Sequence, residues 1–438
     1  MQLQARNSAR GLRAAKRLVN GACAGIFGLA AATALLAQTG QRGYNQIYSF
    51  GTATVELTGL TGAGNTLYGA TQTGGTNGMG SVYSLTKPAA SGEPWTYTTL
   101  YNFGSRPLDG SAPWGVAVGG VSGGLPVLYG TTESGGERGM GTIFGLVPPS
   151  APGGEWTEYL LFSFSGANGE MPMAPLVADL RTGELPVLYG TTAQGGSDGS
   201  GVIFSLTPPA TAGSAWTENV LQSFVGGGTE GQVPNAVVLG SGPGGAPVLY
   251  GFTELGGTLG GGVVFSLTES GGTWAYSDIY NLPESAVVSS GGALTLGSDG
   301  VLYGTSLLAR PPDGVGALNG EVYSLTPPAS PGGSWTVNTL YAFGAFKGDG
   351  SNPIAVVMGS DGTLYGTTSD GGLGYGTVYS LTPPASPGGA WTENQLYRFP
   401  GDAIGGPRSL IIGPHGSLYG TTDQLGPGVV SVVYAIEP

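Results

Sequence analysis

Nine carboxylates are the residues of this chain whose type and placement could support chemistry. Five of them precede short apolar segments, namely Asp109, Glu170, Glu230, Asp349 and Asp402, and four follow a recurring Leu-Tyr-Gly motif, namely Glu133, Glu254, Asp370 and Asp423. Two carboxylates at a suitable separation can act as acid and base on a glycosidic bond. Several together can bind Ca²⁺. A third interpretation is that acids followed by glycine, such as Asp109, are solvated turn residues without a chemical role.

Composition leaves little room for histidine chemistry, and the only cysteine, Cys23, would be removed together with the N-terminal leader. The only histidine is His415, at a place where other copies of the same segment have Asp-Gly turns, and it is therefore predicted to be a turn residue. Neither a Ser-His-Asp triad nor a zinc site with a histidine ligand can be built without an imidazole near the reacting atom. The sequence also lacks a recurring docking motif for pyrroloquinoline quinone. No catalytic residue and no cofactor are predicted.

Seven copies of a Leu-Tyr-Gly motif organise the chain. The tyrosines of these copies are Tyr68, Tyr129, Tyr189, Tyr250, Tyr303, Tyr365 and Tyr419, and successive copies lie between 53 and 62 residues apart. A regular period of this length indicates one repeated supersecondary unit that buries its apolar face against its neighbours. With 86 Gly, 31 Pro and only 9% charged residues, the composition favours short strands and turns. These features predict an all-β fold.

Each repeat reads as four antiparallel strands, labelled A to D. In the third repeat we predict strand A at residues 174–180, strand B at 187–192, strand C at 201–207 and strand D at 216–224. Breakers separate them, because glycines allow tight turns and prolines cannot donate to a ladder. Four strands per repeat with no helix between them predict a seven-bladed β-propeller.

This topology predicts where the nine carboxylates lie. The D–A and B–C loops share one face of a blade, and the A–B and C–D turns share the other. The first five acids fall in D–A loops and the other four in B–C loops, so that all nine are expected on one face, with the D–A acids nearest the axis.

Tryptophan recurs at the start of strand D, in Trp95, Trp156, Trp216, Trp274, Trp335 and Trp391. We expect these six side chains to pack between blades, with stacking on a sugar as the alternative. Trp114 lies outside the series, in strand A beside the axis, and is the better candidate for a ligand contact.

The two ends of the repeat region predict how the ring closes. The last repeat has strands A to C but no strand D after them, whereas residues 44–50 resemble a strand D that no other strands precede. We therefore expect the N-terminal strand to complete the seventh blade beside residues 432–435. This pairing would cover an exposed strand edge and join the ends of the ring.

The N-terminal segment has the features of a secretory signal peptide. Five basic residues precede an uncharged run at 21–37 that contains a small-x-small cleavage site at 32–34. We predict a signal peptide at 1–34, a short linker at 35–43 and one propeller domain at 44–438. An uncleaved N-terminal membrane anchor is the alternative, since the run approaches the length that spans a bilayer. In both cases we expect the propeller outside the cytoplasm, and after cleavage we expect it to be secreted to the periplasm or the extracellular space.

Net charge excludes some partners. The whole chain has a formal charge of −13, and five of its 14 Lys and Arg lie in the leader, so that nine would remain against 27 acidic residues, a charge of −18. Such a chain repels phosphate backbones and anionic membrane surfaces. A carbohydrate, a cation or a protein remains a candidate partner, and we expect a monomer.

The full repeat resembles a known family. The order Phe-x-x-x-x-Gly-x-x-Pro, Gly-x-Leu-Tyr-Gly-Thr-Thr, Gly-Gly and Gly-x-Val-Phe/Tyr-Ser-Leu-Thr-Pro is similar to the GloVer tandem repeat of secreted bacterial proteins, over about residues 44–438. The resemblance implies an extracellular repeat protein whose relatives carry varied surface anchors. It implies no established reaction and no catalytic residues. The sequence therefore predicts a secreted, non-enzymatic binding module, with a glycoside-active hydrolase or lyase that uses the face carboxylates as the alternative.

Overall fold

The computed structural model describes residues 43–51, 55–151, 153–183, 185–211, 213–284, 294–307, 319–330, 332–386, 388–401, 404–423 and 429–438. The predicted signal peptide and nearly all of the predicted linker lie outside these residues. Internal contacts distinguish a small unit, Met1–Tyr44 with Glu437, from a large unit, Asn45–Ile436 with Pro438. In the small unit, the backbone N–H of Glu437 donates to the carbonyl of Gly43 at 3.0 Å.

The described residues form twenty-eight strands in seven sheets, and the first of these strands is β1 (Tyr44–Ser49). Blade one contains β2 (Leu57–Ala63), β3 (Thr66–Thr71), β4 (Ser81–Thr86) and β5 (Thr96–Asn102), and blade two contains β6 (Gly110–Ser122), β7 (Leu125–Gly135), β8 (Thr142–Val147) and β9 (Thr157–Ser163). Blade three contains β10 (Val177–Asp179), β11 (Val187–Thr192), β12 (Val202–Thr207) and β13 (Thr217–Ser223), and blade four contains β14 (Gly231–Ser241), β15 (Pro247–Gly256), β16 (Gly260–Ser270) and β17 (Thr273–Pro283). Blade five contains β18 (Thr295–Leu296), β19 (Leu302–Ser306), β20 (Glu321–Thr326) and β21 (Thr336–Ala342), and blade six contains β22 (Gly350–Met358), β23 (Leu364–Gly371), β24 (Thr377–Thr382) and β25 (Thr392–Arg398). Blade seven contains β26 (Pro407–Ile412), β27 (Leu418–Thr422) and β28 (Val432–Ile436).

These sheets form a seven-bladed β-propeller, as the sequence predicts. In blades one to six the four antiparallel strands follow one another in chain order, A to D. The A strands of neighbouring blades contact each other around the ring, and β26 contacts β2. Among the described residues the only helices are short 3₁₀ turns at Leu180–Thr182, Pro243–Gly245 and Pro414–Gly416. The last of these contains His415, in the turn between β26 and β27 where the sequence places it.

The N-terminal strand completes the seventh blade. The order of that sheet is β1-β28-β27-β26, so β1 covers the edge of strand C that would otherwise be exposed. The backbone N–H of Phe50 continues the ladder and donates to the carbonyl of Ser431 at 3.0 Å. The predicted closure is confirmed.

Each residue of the Leu-Tyr-Gly-Thr-Thr motif has a packing role, which blade three illustrates. Leu188 is fully buried between blades. A Cβ on Gly190 would lie 2.6 Å from the ring of Phe204 on strand C, so that only glycine leaves room for this aromatic ring. The side chain of Thr192 accepts from the N–H of Val202 at 3.3 Å and ties strand B to strand C. Blade four repeats these contacts, with Gly251 against the ring of Phe265 and the side chain of Thr253 accepting from the N–H of Val263 at 2.9 Å.

The tyrosine of the motif packs against the tryptophan of the next blade. Ring centroids are 6.4 Å apart for Tyr68 and Trp156 and 5.7 Å apart for Tyr189 and Trp274. The seam between blades seven and one has the same contact, between Tyr419 and Trp95 at 5.7 Å. These edge-on contacts bury the tyrosine ring and partly bury the tryptophan ring. The prediction that the recurring tryptophans pack between blades is confirmed.

Strand A of the third blade is shorter than the sequence predicts. It runs over Val177–Asp179 and not over residues 174–180. Pro175 has no N–H to donate to strand B, and Asp179 ends the strand because its side chain accepts from the N–H of Arg181 and caps a 3₁₀ turn. Strand B has the predicted bounds, whereas β12 and β13 are shorter than the predicted strands C and D by one or two residues.

Candidate functional site

One position of strand A lines a cavity at the axis. This position comes directly after the residue that pairs with the second threonine of the repeat motif. Pro113 pairs with Thr132 and Pro234 pairs with Thr253, so the position is Trp114 in blade two and Asn235 in blade four. The side chains at this position, from blades one, two, three, four and seven, are Thr58, Trp114, Met173, Asn235 and Arg408. Blade six contributes Ala355. The cavity is therefore shared by six blades and has a different side chain from each.

A strained backbone residue recurs in four blades, two positions before the wall residue in blades two, three and four and three positions before Ala355 in blade six. Ala112, Met171, Val233 and Asn352 have φ between 54° and 57° although none is glycine. The N–H of each donates to a B–C loop carbonyl of the preceding blade, for example Ala112 to Met79 at 3.0 Å. A left-handed conformation costs roughly 1–2 kcal/mol for an L-residue. The bond to the neighbouring blade holds this turn, which directs the next residues toward the axis.

The cavity has a volume of about 240 Å³ and a mostly apolar wall. Its apolar lining residues include Leu57, Leu60, Pro175, Ala236, Leu410 and Ile411. Trp114 lies in this wall, at the axial place that the sequence predicts. Whether it contacts a ligand stays a prediction.

Three B–C acids hold wall residues from behind. Glu133 accepts from the indole N–H of Trp114 at 3.0 Å, and Glu254 accepts from the amide of Asn235 at 3.1 Å. Asp423 forms an ion pair with Arg408 at 3.4 Å. These acids do not line the cavity themselves. Their geometry makes them positioning groups for the wall.

The remaining B–C acid lies outside this arrangement. Asp370 is exposed and accepts from the amide of Asn352 at 2.7 Å and from the hydroxyl of Ser369 at 3.2 Å. In blade one the equivalent of Glu133 is Gln72, which lines the cavity. In the orientation that satisfies its amide, its oxygen accepts from the Trp114 indole at 3.0 Å and its nitrogen donates to Glu56 at 3.0 Å.

The D–A acids organise their own loops. Asp349 is only 5% exposed and accepts from the hydroxyl of Tyr341 and the N–H groups of Gly344, Ala345 and Gly350, at 2.8–3.0 Å. The solvated-turn interpretation is thus wrong for Asp349, because four donors replace water around its carboxylate.

The other described D–A acids also have local partners. Asp109 accepts from Tyr101, Ser105 and its neighbour Gly110 at 2.9–3.2 Å. The side chain of Glu230 accepts from Gln222 at 3.3 Å. Glu170 pairs through its backbone with Gln194. Asp402 lies outside the described residues. None of the four described D–A acids lines the axial cavity.

The carboxyl of Glu254 is partly removed from solvent, which changes its protonation. Burial raises the pKa of its carboxyl above the usual value, and the hydrogen bond from Asn235 opposes that shift. A carboxylic acid with a raised pKa can retain its proton nearer neutral pH and donate it. Glu254 is therefore the described cavity-side carboxyl best suited to acid chemistry.

Comparison with known families identifies the repeat. Residues 36–246 match the family described as the Gloeobacter/Verrucomicrobia repeat. This part of the chain belongs to that family. The match confirms the resemblance that the sequence motifs indicate. No curated protein matches the chain.

Solved structures share the fold of this chain at low identity. The polysaccharide lyase Uly1 is 10% identical, with a TM-score of 0.52 over 90% of this chain and 92% of the lyase. A puromycin-hydrolysing peptidase of Mycobacterium tuberculosis is 14% identical, with a TM-score of 0.51 over 90% of this chain. This chain spans only 54% of the peptidase. Both similarities concern the fold alone.

The described part of the chain contains neither a metal-binding cluster nor a membrane-spanning helix. No group of three or more His, Cys, Asp or Glu residues there is arranged to hold a metal ion. No helix among the same residues is long and apolar enough to cross a membrane.

The sequence interpretation missed most of the cavity wall. Trp114 was predicted as a ligand contact. Thr58, Met173, Asn235 and Arg408 were not, because the predicted site rested on carboxylates. A signal was present, because Pro113, Pro172, Pro234 and Pro407 each precede a wall residue. The residues around these positions recur from blade to blade, while the wall residue itself changes.

Proposed function

We propose that this protein is a secreted, non-enzymatic binding module and that the axial cavity is its ligand site. The observation that carries the proposal is the contrast between constant and variable positions of the repeat. Packing fixes the residues of the Leu-Tyr-Gly-Thr-Thr motif, whereas the wall position holds threonine, tryptophan, methionine, asparagine and arginine in different blades. A purely structural position would have the same requirement in each blade. A ligand that touches six blades at once requires different groups.

The arrangement behind the wall supports the same function. Trp114, Asn235 and Arg408 are each held by an acid of their own blade. Such fixed side chains lose little rotamer freedom on binding, which favours affinity. Pockets that combine apolar walls with a few oriented polar groups are typical of ligand sites.

The site can be tested by filling the cavity. Met173→Trp adds bulk to a half-buried wall residue of blade three. Neutral oligosaccharides, CaCl₂ and basic peptides would be compared by thermal shift, since a ligand of the folded state raises Tm by mass action. We expect at least one class to stabilise the wild type but not Met173→Trp. Equal responses of the two proteins to every ligand would refute an axial site.

A glycoside-active hydrolase or lyase is the second candidate. The raised pKa of Glu254 favours it, because a general acid must keep its proton. The hydrogen bond between Glu254 and the wall residue Asn235 places this carboxyl beside the cavity. Turnover of a polysaccharide that is lost in Glu254→Gln but kept in Asp370→Asn would establish the enzyme. Absence of turnover in the wild type would leave the binding module.

A further inference from the structure

Most polar groups of the axial cavity already have a partner within the protein. The hydroxyl of Thr58 donates to the carbonyl of Ala70 at 3.1 Å, and the hydroxyl of Ser409 bonds to Thr421 at 2.8 Å. The amide of Asn235 donates to Glu254 and accepts from the N–H of Ala236 at 2.7 Å. Trp114 and Arg408 have partners as described above. A polyol in this cavity would lose water from its hydroxyls and gain few new hydrogen bonds.

The size of the cavity points to an apolar group of side-chain size. Its volume of about 240 Å³ lies below the roughly 300–1,000 Å³ of pockets that take whole drug-sized ligands. Burial of one leucine or phenylalanine side chain against an apolar wall contributes about 1.5–3 kcal/mol. The cavity therefore fits one apolar side chain as part of a larger partner.

Exposed apolar side chains lie on the face of the propeller that carries the D–A and B–C loops. They lie in B–C loops or D–A loops, or at the ends of the strands that lead into them, and are Met79, Leu108, Val225, Leu255, Leu259, Phe346 and Leu373, between 47% and 59% exposed. Leu108 is also held at φ 63° although it is not glycine. Single exposed apolar residues need no explanation, but a set on one face marks an interaction surface. We call these seven residues the apolar rim.

Charge on this face selects among macromolecular partners. The acids Glu133, Glu254 and Asp370 lie beside the cavity or in the loops around it, Asp423 offsets the charge of the wall residue Arg408, and the whole chain carries −13. Anionic lipid surfaces and nucleic acids are repelled by such a face. A partner with basic residues is attracted and steered to it.

We propose that this face binds a segment of a partner protein that inserts one leucine- or phenylalanine-sized side chain into the axial cavity. Basic residues on either side of the anchor lie against the acids of the face, and the apolar rim covers the flanking segment. Interfaces with one anchor in a central pocket and a surrounding ring that excludes water obtain most of their affinity from the anchor. This inference rests on the proposed axial site and names its partner class.

The experiment uses three dye-labelled heptapeptides and the whole protein. One peptide has a central leucine between pairs of lysines, the second has a central alanine in the same frame, and the third has a central leucine between pairs of glutamates. Binding is measured by fluorescence anisotropy at 50 mM and 500 mM NaCl. Replacing leucine by alanine should weaken binding about tenfold or more, as expected for the loss of a buried leucine side chain. The preference for lysine over glutamate flanks should decrease at high salt.

Variants separate the cavity from the rim. Met173→Trp should abolish the preference for leucine over alanine, whereas Leu125→Trp, an equally bulky change in an exposed residue at the A–B turn of the opposite face, should leave it intact. Phe346→Ser with Leu373→Ser changes only exposed rim residues, so folding is preserved, and should weaken all three peptides.

The outcomes distinguish the partner class from the site itself. Equal affinity of the leucine and alanine peptides, together with a neutral oligosaccharide that binds the wild type but not Met173→Trp, overturns the peptide anchor and keeps the axial site. If neither peptide nor oligosaccharide binding changes in Met173→Trp, both proposals fail. If Met173→Trp does not fold, equal binding of leucine and alanine peptides to the wild type and the rim variant overturns the inference.

Discussion

Glu218 should make the protein less stable as the pH rises. It lies on β13 in the outer strand of blade three, and its Oε1 is buried without a hydrogen-bond partner among the described residues. Burial raises the pKa of this carboxyl to about 7, from its usual value of 4.5, and a hydrogen bond with Asn168 opposes the shift. The folded protein therefore keeps a proton that the unfolded chain has already lost between these two pH values.

Proton linkage gives the direction in which the free energy of unfolding changes with pH. Between pH 4.5 and about 7 the folded state binds more protons at Glu218 than the unfolded state, so the free energy of unfolding falls as the pH rises. Above about pH 7 the titration of Glu218 lowers the free energy of unfolding no further. The difference of about 2.5 between the folded and unfolded pKa values of Glu218 corresponds to roughly 3.4 kcal/mol. Because the side chain is only half-buried, solvent screens part of this, and about 1–1.5 kcal/mol is expected.

Glu218→Gln removes the charge and keeps the shape. We expect the variant to match the wild type in urea denaturation at pH 4.5 and to exceed it by about 1–1.5 kcal/mol at pH 8.5. Blade two provides a matched control, because Glu158 occupies the equivalent place but forms an ion pair with Arg106. Glu158→Gln should destabilise at pH 8.5, since it leaves Arg106 without its charge partner. A gain from Glu218→Gln that is equal at both pH values would refute the reasoning.

Four further changes test the fold and the face. Gly130→Ala should lower Tm, because its Cβ would lie 2.4 Å from the ring of Phe144, whereas Gly59→Ala, with open space around it, should have little effect. Tyr379→Phe should raise Tm and increase the free energy of unfolding by about 1–3 kcal/mol, because it removes a buried hydroxyl that has no partner among the described residues. Deletion of residues 44–50 should lower Tm sharply by exposing the edge of blade seven, and an unchanged melting curve would contradict the closure of the ring. Thermal scans in EDTA and in millimolar Ca²⁺ should overlay, since the carboxylates of Asp109 and Asp349 already accept hydrogen bonds from their own loops, and a higher Tm in Ca²⁺ would restore the cation interpretation of the acidic face.

The fold could be predicted from the sequence because its causes are local and repeated. Each copy of the motif carries the glycine that admits a strand C ring, such as Gly190 against Phe204, and the residues that start and end strands. The order of strands in the last repeat then required β1 to close the ring. Where a prediction was wrong, as in the length of β10, a single residue changed the local hydrogen bonding.

The site could not be predicted to the same depth. Asp349 and Glu133 look alike in sequence, as acids in loops of one face, yet one is enclosed by donors of its own loop and the other holds Trp114. Which donors surround a carboxylate depends on side chains that meet only after the strands are paired. The wall residues were missed for a related reason, because Met173 and Thr58 acquire a common role only through the ring.

The pairing of β1 with β28 has a consequence for the order in which the protein folds. Blades one to six each consist of strands that are close in sequence, so their contacts can form early. The bond between Phe50 and Ser431 joins segments separated by about 380 residues. Compared with closing a loop of about 60 residues, this costs roughly 1.5 kcal/mol more in chain entropy. The seventh blade should therefore be the last to assemble and the first to open, and the propeller can exist transiently as an open arc of six blades.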